Sequence, residues 1–416
     1  MENEIISTTP ENVRRLFIYK QHLDGDSLKG SFREKFNSLM DDICFVQWDP
    51  VTVVAPSHLI SIWSRIGKFK WAELDRQMWD EKSVFLHFTP TAMLVRMQDY
   101  PIFYSLMKNY PESLGNSWRS HIPPARKFIQ DHKELRLQIM DKLRKGPADI
   151  KQFREFGKRE KSQDGWSSGN EVTTMLYYLH MMGDVMVSGH VGNQNQWTIT
   201  DEFLPEWVEK KDLPLNDMEC IMAQKSLKAL GIATATDINK YFVRGRYWNL
   251  NETLKRMVDE SKILKVSIEG ERKGRQMFIN SEDVKTLEKI EKNGGTSGMK
   301  LISPFDNIIS IRERLKRTFN FDYTLEQFFP KEKRKFGTYV LPILWNDQLV
   351  GRIDAKLEKK NGILQVNSVY AENGFEKVKE IGEKLDETVR DFAEFLNVEK
   401  VSYGNVRPDE WGRFLS

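Results

Sequence analysis

The residues best suited to chemistry lie in one stretch, residues 45–65, with the sequence FVQWDPVTVVAPSHLISIWSR. Gln47 and Asp49 form a polar pair inside a long apolar run. A carboxylate is a common general base and can stabilise positive charge, and an amide can orient a reacting group. This stretch is therefore the candidate active centre.

The side-chain geometry of the pair depends on the backbone. Residues 45–54 are apolar and β-branched, which predicts an extended strand. Residues two apart in a strand point to the same face, so Gln47 and Asp49 are predicted to project side by side, with Trp48 turned away. Pro50 favours this interpretation because the residue before a proline avoids helical geometry. A second interpretation stays open, in which Asp49 initiates a turn before Pro50 and Gln47 is simply solvated.

Composition places the chain among globular proteins that contain several domains. Its 416 residues are 40% hydrophobic and 30% charged, which predicts roughly two to four domains. There is no apolar run of the roughly 18 to 20 residues that would cross a bilayer, and no signal-peptide core, so a cytoplasmic location is expected. The net charge of +3 permits nucleic-acid binding without requiring it.

Other standard chemistries lack their motifs. The chain has no GxxxxGK[ST], GxSxG, HExxH or Rossmann glycine pattern. Cys44 and Cys220 are far apart and have no zinc-ligand spacing, so both are expected to be buried, reduced thiols. We therefore expect no metal, no nucleotide and no other cofactor.

A pattern of helices followed by a hairpin recurs three times. The third copy predicts helices at 217–230, 236–242 and 251–260 and then a hairpin, as in winged-helix modules. Coincidence in a generic α+β protein is the alternative. The predicted fold is α+β, with three tandem winged-helix (helix-turn-helix) modules followed by a C-terminal antiparallel β-barrel-like domain with a terminal helix. The predicted boundaries are 1–130 for the first module with the QxD motif, 131–212 for the second, 213–285 for the third, 286–299 for a flexible linker and 300–416 for the C-terminal domain.

The motif also carries a resemblance to a known family. The segment 47–66 resembles the QxD or QxQ motif and following helix of the crosslink-repair DNA glycosylases of the YcaQ/AlkZ family. Residues 303–356 are similar to that family's C-terminal signature. Gly165-Trp166, 182–189 and Leu204-Pro205 resemble its second winged helix. The short QxD motif is weak alone, but the ordered set covers nearly the whole chain and is specific.

The resemblance implies a DNA glycosylase that hydrolyses the N-glycosidic bond of alkylated purines, notably N7-alkylguanine, and in some members unhooks interstrand crosslinks. N7 alkylation makes the base a good leaving group, so the enzyme mainly stabilises an oxocarbenium-like sugar and places a water. Asp49 is implied to do both, and Gln47 to position the water or the sugar. The motif contains no lysine, so a monofunctional hydrolase is expected rather than a lyase.

Several side chains are predicted to bind DNA, although charge runs are usually only solvated surface. His58 occupies a position where the family often has histidine, but a structural role is equally open. Trp48 and Trp63 are interpreted as core residues rather than stacking platforms. The predicted DNA-binding residues are His58, Arg65, Lys158, Arg159, Arg272, Lys273, Arg275, Lys333, Arg334 and Lys335.

The chain departs from the family pattern at two places. Phe88-Thr89-Pro90 stands where many members have Trp-Ala-His, and Pro56 stands where arginine is common. Simple N7-alkylpurines are therefore expected as substrates more than bulky crosslinks. The expected partner is double-stranded DNA carrying alkylated bases, bound by a monomer. A non-catalytic winged-helix DNA-binding protein or transcription regulator remains the alternative, and it has no need of Gln47 and Asp49.

Overall fold

A computed structural model describes residues 5–25, 28–49, 51–89, 91–156, 171–192, 194–270, 274–294 and 298–415, and both helices and strands occur throughout these ranges. The α-helices are α1 (Pro10–Lys20), α2 (Phe32–Ile43), α3 (Ser57–Ile66), α4 (Trp71–Asp75), α5 (Tyr100–Lys108), α6 (Ile122–Asp131), α7 (Lys133–Leu143), α8 (Glu171–Met181), α9 (Thr200–Phe203), α10 (Leu215–Leu230), α11 (Ala235–Lys240), α12 (Leu250–Asp259), α13 (Val284–Asn293), α14 (Asn307–Ser310), α15 (Arg312–Phe319), α16 (Lys379–Phe395) and α17 (Asp409–Gly412). The strands are β1 (Ile5–Thr8), β2 (Phe45–Gln47), β3 (Val84–Thr89), β4 (Thr91–Arg96), β5 (Ala148–Asp149), β6 (Val185–Val191), β7 (Gln194–Ile199), β8 (Ile232–Thr234), β9 (Ile263–Ile268), β10 (Met277–Asn280), β11 (Met299–Leu301), β12 (Val340–Trp345), β13 (Gln348–Glu358), β14 (Ile363–Ala371) and β15 (Lys400–Arg407).

The chain divides into two compact units. The first comprises Met1–Glu73, Ala223–Phe242 and Leu254–Ser416, and the second comprises Leu74–Met222 and Val243–Thr253. The five-part division of the sequence stays a prediction. No helix among the described residues is both long and apolar enough to cross a bilayer.

Local capping begins the first two helices of the first unit. Thr9 Oγ1 accepts a hydrogen bond from the Asn12 amide at 3.2 Å, and Pro10 occupies the first turn of α1, where its missing N–H costs nothing. Ser31 and Glu34 form a reciprocal capping box at the start of α2. Both helix starts therefore follow from short-range chemistry.

A four-stranded sheet in the order β1-β9-β10-β8 belongs to the first unit and joins the N-terminal strand to three strands from the middle of the chain. β1 runs parallel to β9, with Ile5 opposite Lys265, and the other pairs are antiparallel. A hydrophobic core fills the space between this sheet and helices α1 and α13. Its buried residues are Val13, Leu16, Ile232, Val266, Met277, Ile279, Leu287 and Ile290.

A five-stranded sheet in the order β11-β12-β13-β14-β15 forms the C-terminal part of the same unit. Its first four strands are antiparallel, and β15 runs parallel to β14. A parallel pair needs a crossover connection, and α16 supplies it. α16 buries the predicted apolar face, including Ile381, Leu385 and Val389. Among the described residues the edge strands β11 and β15 do not pair with each other, so the sheet is open and a barrel-like closure is not confirmed.

The second unit contains two antiparallel sheets packed with helices. β3 and β4 form a hairpin in which Val84 lies opposite Arg96. β5, β7 and β6 form a three-stranded sheet, and α7 and α8 pack together beside it. A short 3-10 helix at Ile150–Phe153 follows β5, and the described residues end at 156 before resuming at 171.

Three local predictions differ from the structure. The first half of the predicted linker at 286–299 is helical rather than flexible, because α13 continues to Asn293 and buries Leu287 and Ile290 in the core, and the domain boundary itself stays a prediction. The predicted strand at 323–329 contains only a 3-10 helix, Glu326–Phe328. Cys44 is buried as predicted, whereas Cys220 is only half-buried.

Candidate functional site: the loop after strand β2

The motif strand is shorter than predicted. β2 ends at Gln47, so the prediction of one strand that contains both Gln47 and Asp49 is wrong, and their side-by-side projection stays a prediction. Asp49 lies in a turn in which its Oδ1 accepts a hydrogen bond from the Val51 amide at 2.8 Å. Such a bond between an aspartate and the backbone two residues on competes with strand pairing, which explains the early end of β2.

The Asp49 carboxylate is half-buried, and burial makes its ionised form less favourable. Burial raises its pKa above the ordinary value of 3.8, and the hydrogen bond from Val51 only partly opposes that rise. Within the described residues, Oδ2 accepts no hydrogen bond, since Val51 is the one partner and it bonds Oδ1. The second oxygen is therefore available to a ligand or a water.

Tyr339 is a functional candidate that our sequence reasoning did not single out. Burial raises the pKa of its phenol, the hydroxyls of Ser303 and Ser57 oppose the rise, and the Asp49 charge adds to it, so the phenol lies near that carboxylate. Asp354 holds the backbone here, because its Oδ1 accepts the Tyr339 amide at 3.2 Å. Its place within the C-terminal signature, residues 303–356, was the available signal.

Two aromatic side chains of the motif, one before Asp49 and one after it in the sequence, stack on each other. The rings of Trp48 and His58 lie parallel, with centroids 3.9 Å apart and an interplanar angle of 11°. His58 is 5% exposed, and its role in DNA binding stays a prediction. Trp63 is buried and donates to Asp391 Oδ2 at 3.1 Å, which fits the predicted core role.

Helix α3 anchors the motif from within the first unit. All ten of its residues are buried. At its start, Ser57 and Ser303 share a hydrogen bond of 2.6 Å between their hydroxyls. Just before the helix, the Val53 carbonyl accepts the Leu357 amide of β13 at 3.1 Å. The loop that carries Asp49 is thus held at several points.

Arg65 has a structural place rather than a surface one. Its guanidinium donates to both oxygens of Asp306, at 2.6 and 2.8 Å, and its Nε donates to the Gln21 carbonyl at 2.8 Å. The side chain is 1% exposed. Its donors are directed at protein acceptors, so the predicted DNA contact is corrected to a structural role.

The residue after Asp306 holds the motif strand directly. Asn307 Nδ2 donates to the Phe45 carbonyl of β2 at 2.9 Å, two residues before Gln47. Tyr241 donates to the neighbouring Ile43 carbonyl at 2.9 Å. The SPFDN segment (residues 303–307) therefore supplies Ser303, Asp306 and Asn307 as supports for the candidate active-centre motif, which gives the similarity at those positions a physical meaning.

The predicted DNA-binding side chains do not all lie in described parts of the chain. Lys158, Arg159, Arg272 and Lys273 lie outside the described residues. Arg275, Lys333 and Lys335 are exposed. Arg334 is half-buried and donates to the carbonyls of Phe329 and Gln327 and to Thr338 Oγ1, all within its own loop. Their contacts with DNA stay predictions.

No group of three or more histidine, cysteine, aspartate or glutamate side chains that could hold a metal ion occurs among the described residues. The described groups near Asp49 include the Tyr339 phenol and the Ser57 and Ser303 hydroxyls, and Gln47 supplies an amide two residues earlier in the chain. This set suits proton transfer and stabilisation of positive charge.

Comparison with known proteins identifies the family. The model of the family described as DNA glycosylase AlkZ-like matches residues 40–395. The DNA glycosylase AlkZ of Streptomyces sahachiroi has a similar structure, with a TM-score of 0.64 and 16% identity, over 96% of this chain and 100% of that one. At that identity the structural likeness concerns the fold. The family match decides for a DNA-repair enzyme over a non-catalytic regulator, and the chain belongs to the AlkZ-like family of DNA glycosylases.

Proposed function

We propose that this DNA glycosylase hydrolyses the N-glycosidic bond of N7-alkylated purines, with Asp49 as the catalytic carboxylate. N7 alkylation gives the base a positive charge, so it leaves without strong acid catalysis. The transition state then carries positive charge on the sugar, which a nearby carboxylate stabilises. The same carboxylate takes a proton from the attacking water.

The observation that carries this proposal is the half-buried Asp49 carboxylate with one oxygen fixed and one available. The bond from Val51 to Oδ1 holds the group in one orientation, and Oδ2 has no partner in the described part of the chain. Burial weakens the hydration of the carboxylate, which strengthens its interaction with a cationic sugar. Gln47, 7% exposed at the end of β2, is the proposed positioning residue for the water or the sugar.

The test compares the wild type with Asp49→Asn by measuring release of 7-methylguanine from methylated duplex DNA without added metal or nucleotide. Asparagine keeps the acceptor for the Val51 amide and removes the charge. We expect release to fall by about 10²- to 10⁴-fold, the usual contribution of general acid–base catalysis. Asp322→Asn, at an exposed ion pair with Lys316, is the matched control. Undiminished release by Asp49→Asn overturns the proposed role.

The proposal also fixes the pH dependence. Asp49 must be ionised to act, so release should fall as the pH drops through its pKa. Since burial raises that pKa above 3.8, the fall should begin at a higher pH than for an exposed aspartate. A rate profile that stays flat down to pH 4 contradicts an essential carboxylate at this position.

The finer architecture is part of the proposal. We propose three winged-helix modules, whose wings contact the phosphate backbone. The antiparallel pairs β3–β4, β6–β7 and β9–β10, each preceded by helices, support this proposal. In the first unit, Arg275, Lys333 and Lys335 are the exposed candidates for such contacts. Each phosphate contact adds about 0.9 to the slope of log affinity against log salt. Arg275→Glu should therefore make that slope less steep by about 0.9 or more. An unchanged slope contradicts a phosphate contact by Arg275.

Substrate range follows from the departures in sequence. Phe88-Thr89-Pro90 and Pro56 replace residues common in the resembling family, so we propose simple N7-alkylpurines as preferred substrates over interstrand crosslinks. The assay is a comparison of 7-methylguanine release with unhooking of an N7–N7 crosslinked duplex at equal enzyme concentration. Faster unhooking than release overturns this preference.

A further inference from the structure

The second unit contains an open-mouthed cavity of about 170 Å³. Its walls are largely aromatic, from Tyr110, Trp118, Tyr177 and Tyr178, and all four rings are only half-buried. A dry protein cavity of about 150 Å³ accommodates benzene. The cavity therefore has room for one planar ring with a small substituent.

A buried positive charge lines the same cavity. Arg246 is 4% exposed, and its Nη2 donates to the Phe88 carbonyl over a long 3.5 Å. Among the described residues no carboxylate forms an ion pair with it. Buried arginines are normally paired, because an uncompensated charge in the interior is costly. The Arg246 guanidinium is therefore buried without a neutralising anion among the described residues.

A second donor lies at the same place. The Thr89 hydroxyl is buried, lines the cavity and forms no hydrogen bond with any described group. A buried hydroxyl without a partner costs free energy unless a ligand or a water satisfies it. A guanidinium and a hydroxyl together match the oxygens of a carboxylate or a phosphate.

The backbone around Arg246 is fixed by two glycines. Gly115 and Gly245 both have positive φ angles, +71° and +92°. A Cβ atom on Gly115 would lie 3.0 Å from the Arg246 Cα, and one on Gly245 would lie 2.9 Å from the Ser117 Cβ. Trp118 Nε1 donates to the Arg244 carbonyl at 2.7 Å, where residues 115–118 lie close to residues 244–246. The donor and the aromatic wall are therefore positioned before any ligand binds.

We propose that this cavity binds an aromatic anion, with the ring against the tyrosine and tryptophan walls and the anionic oxygens on Arg246 and Thr89. Offset stacking suits a planar ring in such a site. A mononucleotide with its phosphate and a free aromatic carboxylic acid share this chemistry. The proposal does not depend on the catalytic role of Asp49.

The test is calorimetric titration of the full-length protein with two anions, dGMP and benzoate. We expect saturable binding of at least one of them at a single site, and the tighter of the two identifies the source. Deoxyguanosine, benzamide and inorganic phosphate lack either the charge or the ring, so each should bind at least tenfold more weakly than the tighter anion. Absence of saturable binding by both anions, or equal binding of the neutral analogues, overturns the proposal.

Variants assign the binding to this cavity. Arg246→Met removes the charge and should weaken binding at least tenfold, and Thr89→Val removes one donor at constant shape and should weaken it several-fold. Arg126→Met, an exposed arginine paired with Glu112 in the same unit, is the matched control and should bind as the wild type does. If Arg246→Met does not fold, Thr89→Val and Arg246→Lys decide. Unchanged affinity in the variants that fold places the ligand elsewhere and overturns the proposal.

Discussion

Two buried arginines, one in each unit, show opposite ways of keeping a charge inside a protein. Counted over the whole residue, Arg65 is 3% exposed and Arg246 is 4% exposed. Arg65 donates to both oxygens of Asp306 and to the Gln21 carbonyl. Among the described residues, Arg246 donates over a long distance to the Phe88 carbonyl, and it lines a cavity. Similar burial therefore accompanies a compensated charge in one case and an uncompensated charge in the other.

The difference teaches that the partners of a buried charge, more than its burial, indicate what it does. A bidentate pair within the chain fixes segments that are distant in sequence, here α3 and the SPFDN segment. A charge without an acidic partner costs stability, and proteins accept such costs at binding sites. The two arginines can be separated by experiment.

Arg65→Met should cause the largest loss of folding stability. It leaves Asp306 buried without its cation, so the free energy of unfolding should fall by about 3–5 kcal/mol. Urea denaturation of the purified protein measures this. The double variant Arg65→Met, Asp306→Leu removes both charges and should recover most of the loss. A loss below 1 kcal/mol for the single variant shows that Arg65 is not the compensated charge described above.

A smaller loss is expected from Asn307→Ala, which removes the donor to the Phe45 carbonyl. Loss of this buried hydrogen bond should cost about 0.5–1.5 kcal/mol. Since the bond holds β2 next to the proposed catalytic residues, release of 7-methylguanine should also fall, through kcat more than through KM. Asn361→Ala, at an exposed bond to Glu358, should change neither quantity. Equal effects of the two variants contradict a positioning role.

Arg246→Met should have the opposite sign to Arg65→Met. It removes a desolvated charge that has no acidic partner in the part of the chain that the structure describes, so the free energy of unfolding should stay the same or rise by about 1 kcal/mol. The same urea titration, without added anion, compares the two variants. A loss of stability as large as that of Arg65→Met means that Arg246 is compensated inside the chain, and the contrast between the arginines then fails.

The smallest effect concerns Asp49→Asn. The pKa of Asp49 is raised in the folded protein, so ionisation disfavours folding as the pH rises from about 3.8 through the folded-state pKa. The variant should therefore have a slightly higher Tm than the wild type at neutral pH, with the gain vanishing below pH 3.8. Thermal unfolding at several pH values measures this. A lower Tm at neutral pH points to a stabilising, structural aspartate instead.

Local chemistry made part of the fold predictable from sequence. α1 and α2 begin where their capping residues stand, and α16 follows its apolar spacing. β15 was not predicted, because it pairs in parallel with β14 only after α16 has crossed over. Elements that depend on distant partners leave little trace in their own residues.

The same distinction holds at the site. Asp49 stands out in an apolar stretch, but its turn depends on a hydrogen bond to Val51 that a strand pattern does not reveal. The partner of Arg65 lies 241 residues away, so its surface role was a natural but incorrect expectation. Arg246 was not singled out because nothing in its neighbours indicates the cavity that it lines.

The parallel pairing of β1 with β9 has a consequence for synthesis in the cell. Ile5 pairs with Lys265, which the ribosome adds 260 residues later. At about 5–20 residues per second, β1 waits roughly 13 to 52 s for its neighbour. Throughout that time the apolar face of α1, with Val13 and Leu16, lacks the β9 and β10 side chains that cover it in the finished protein. The nascent N-terminus is thus a predictable client for chaperones that shield apolar segments.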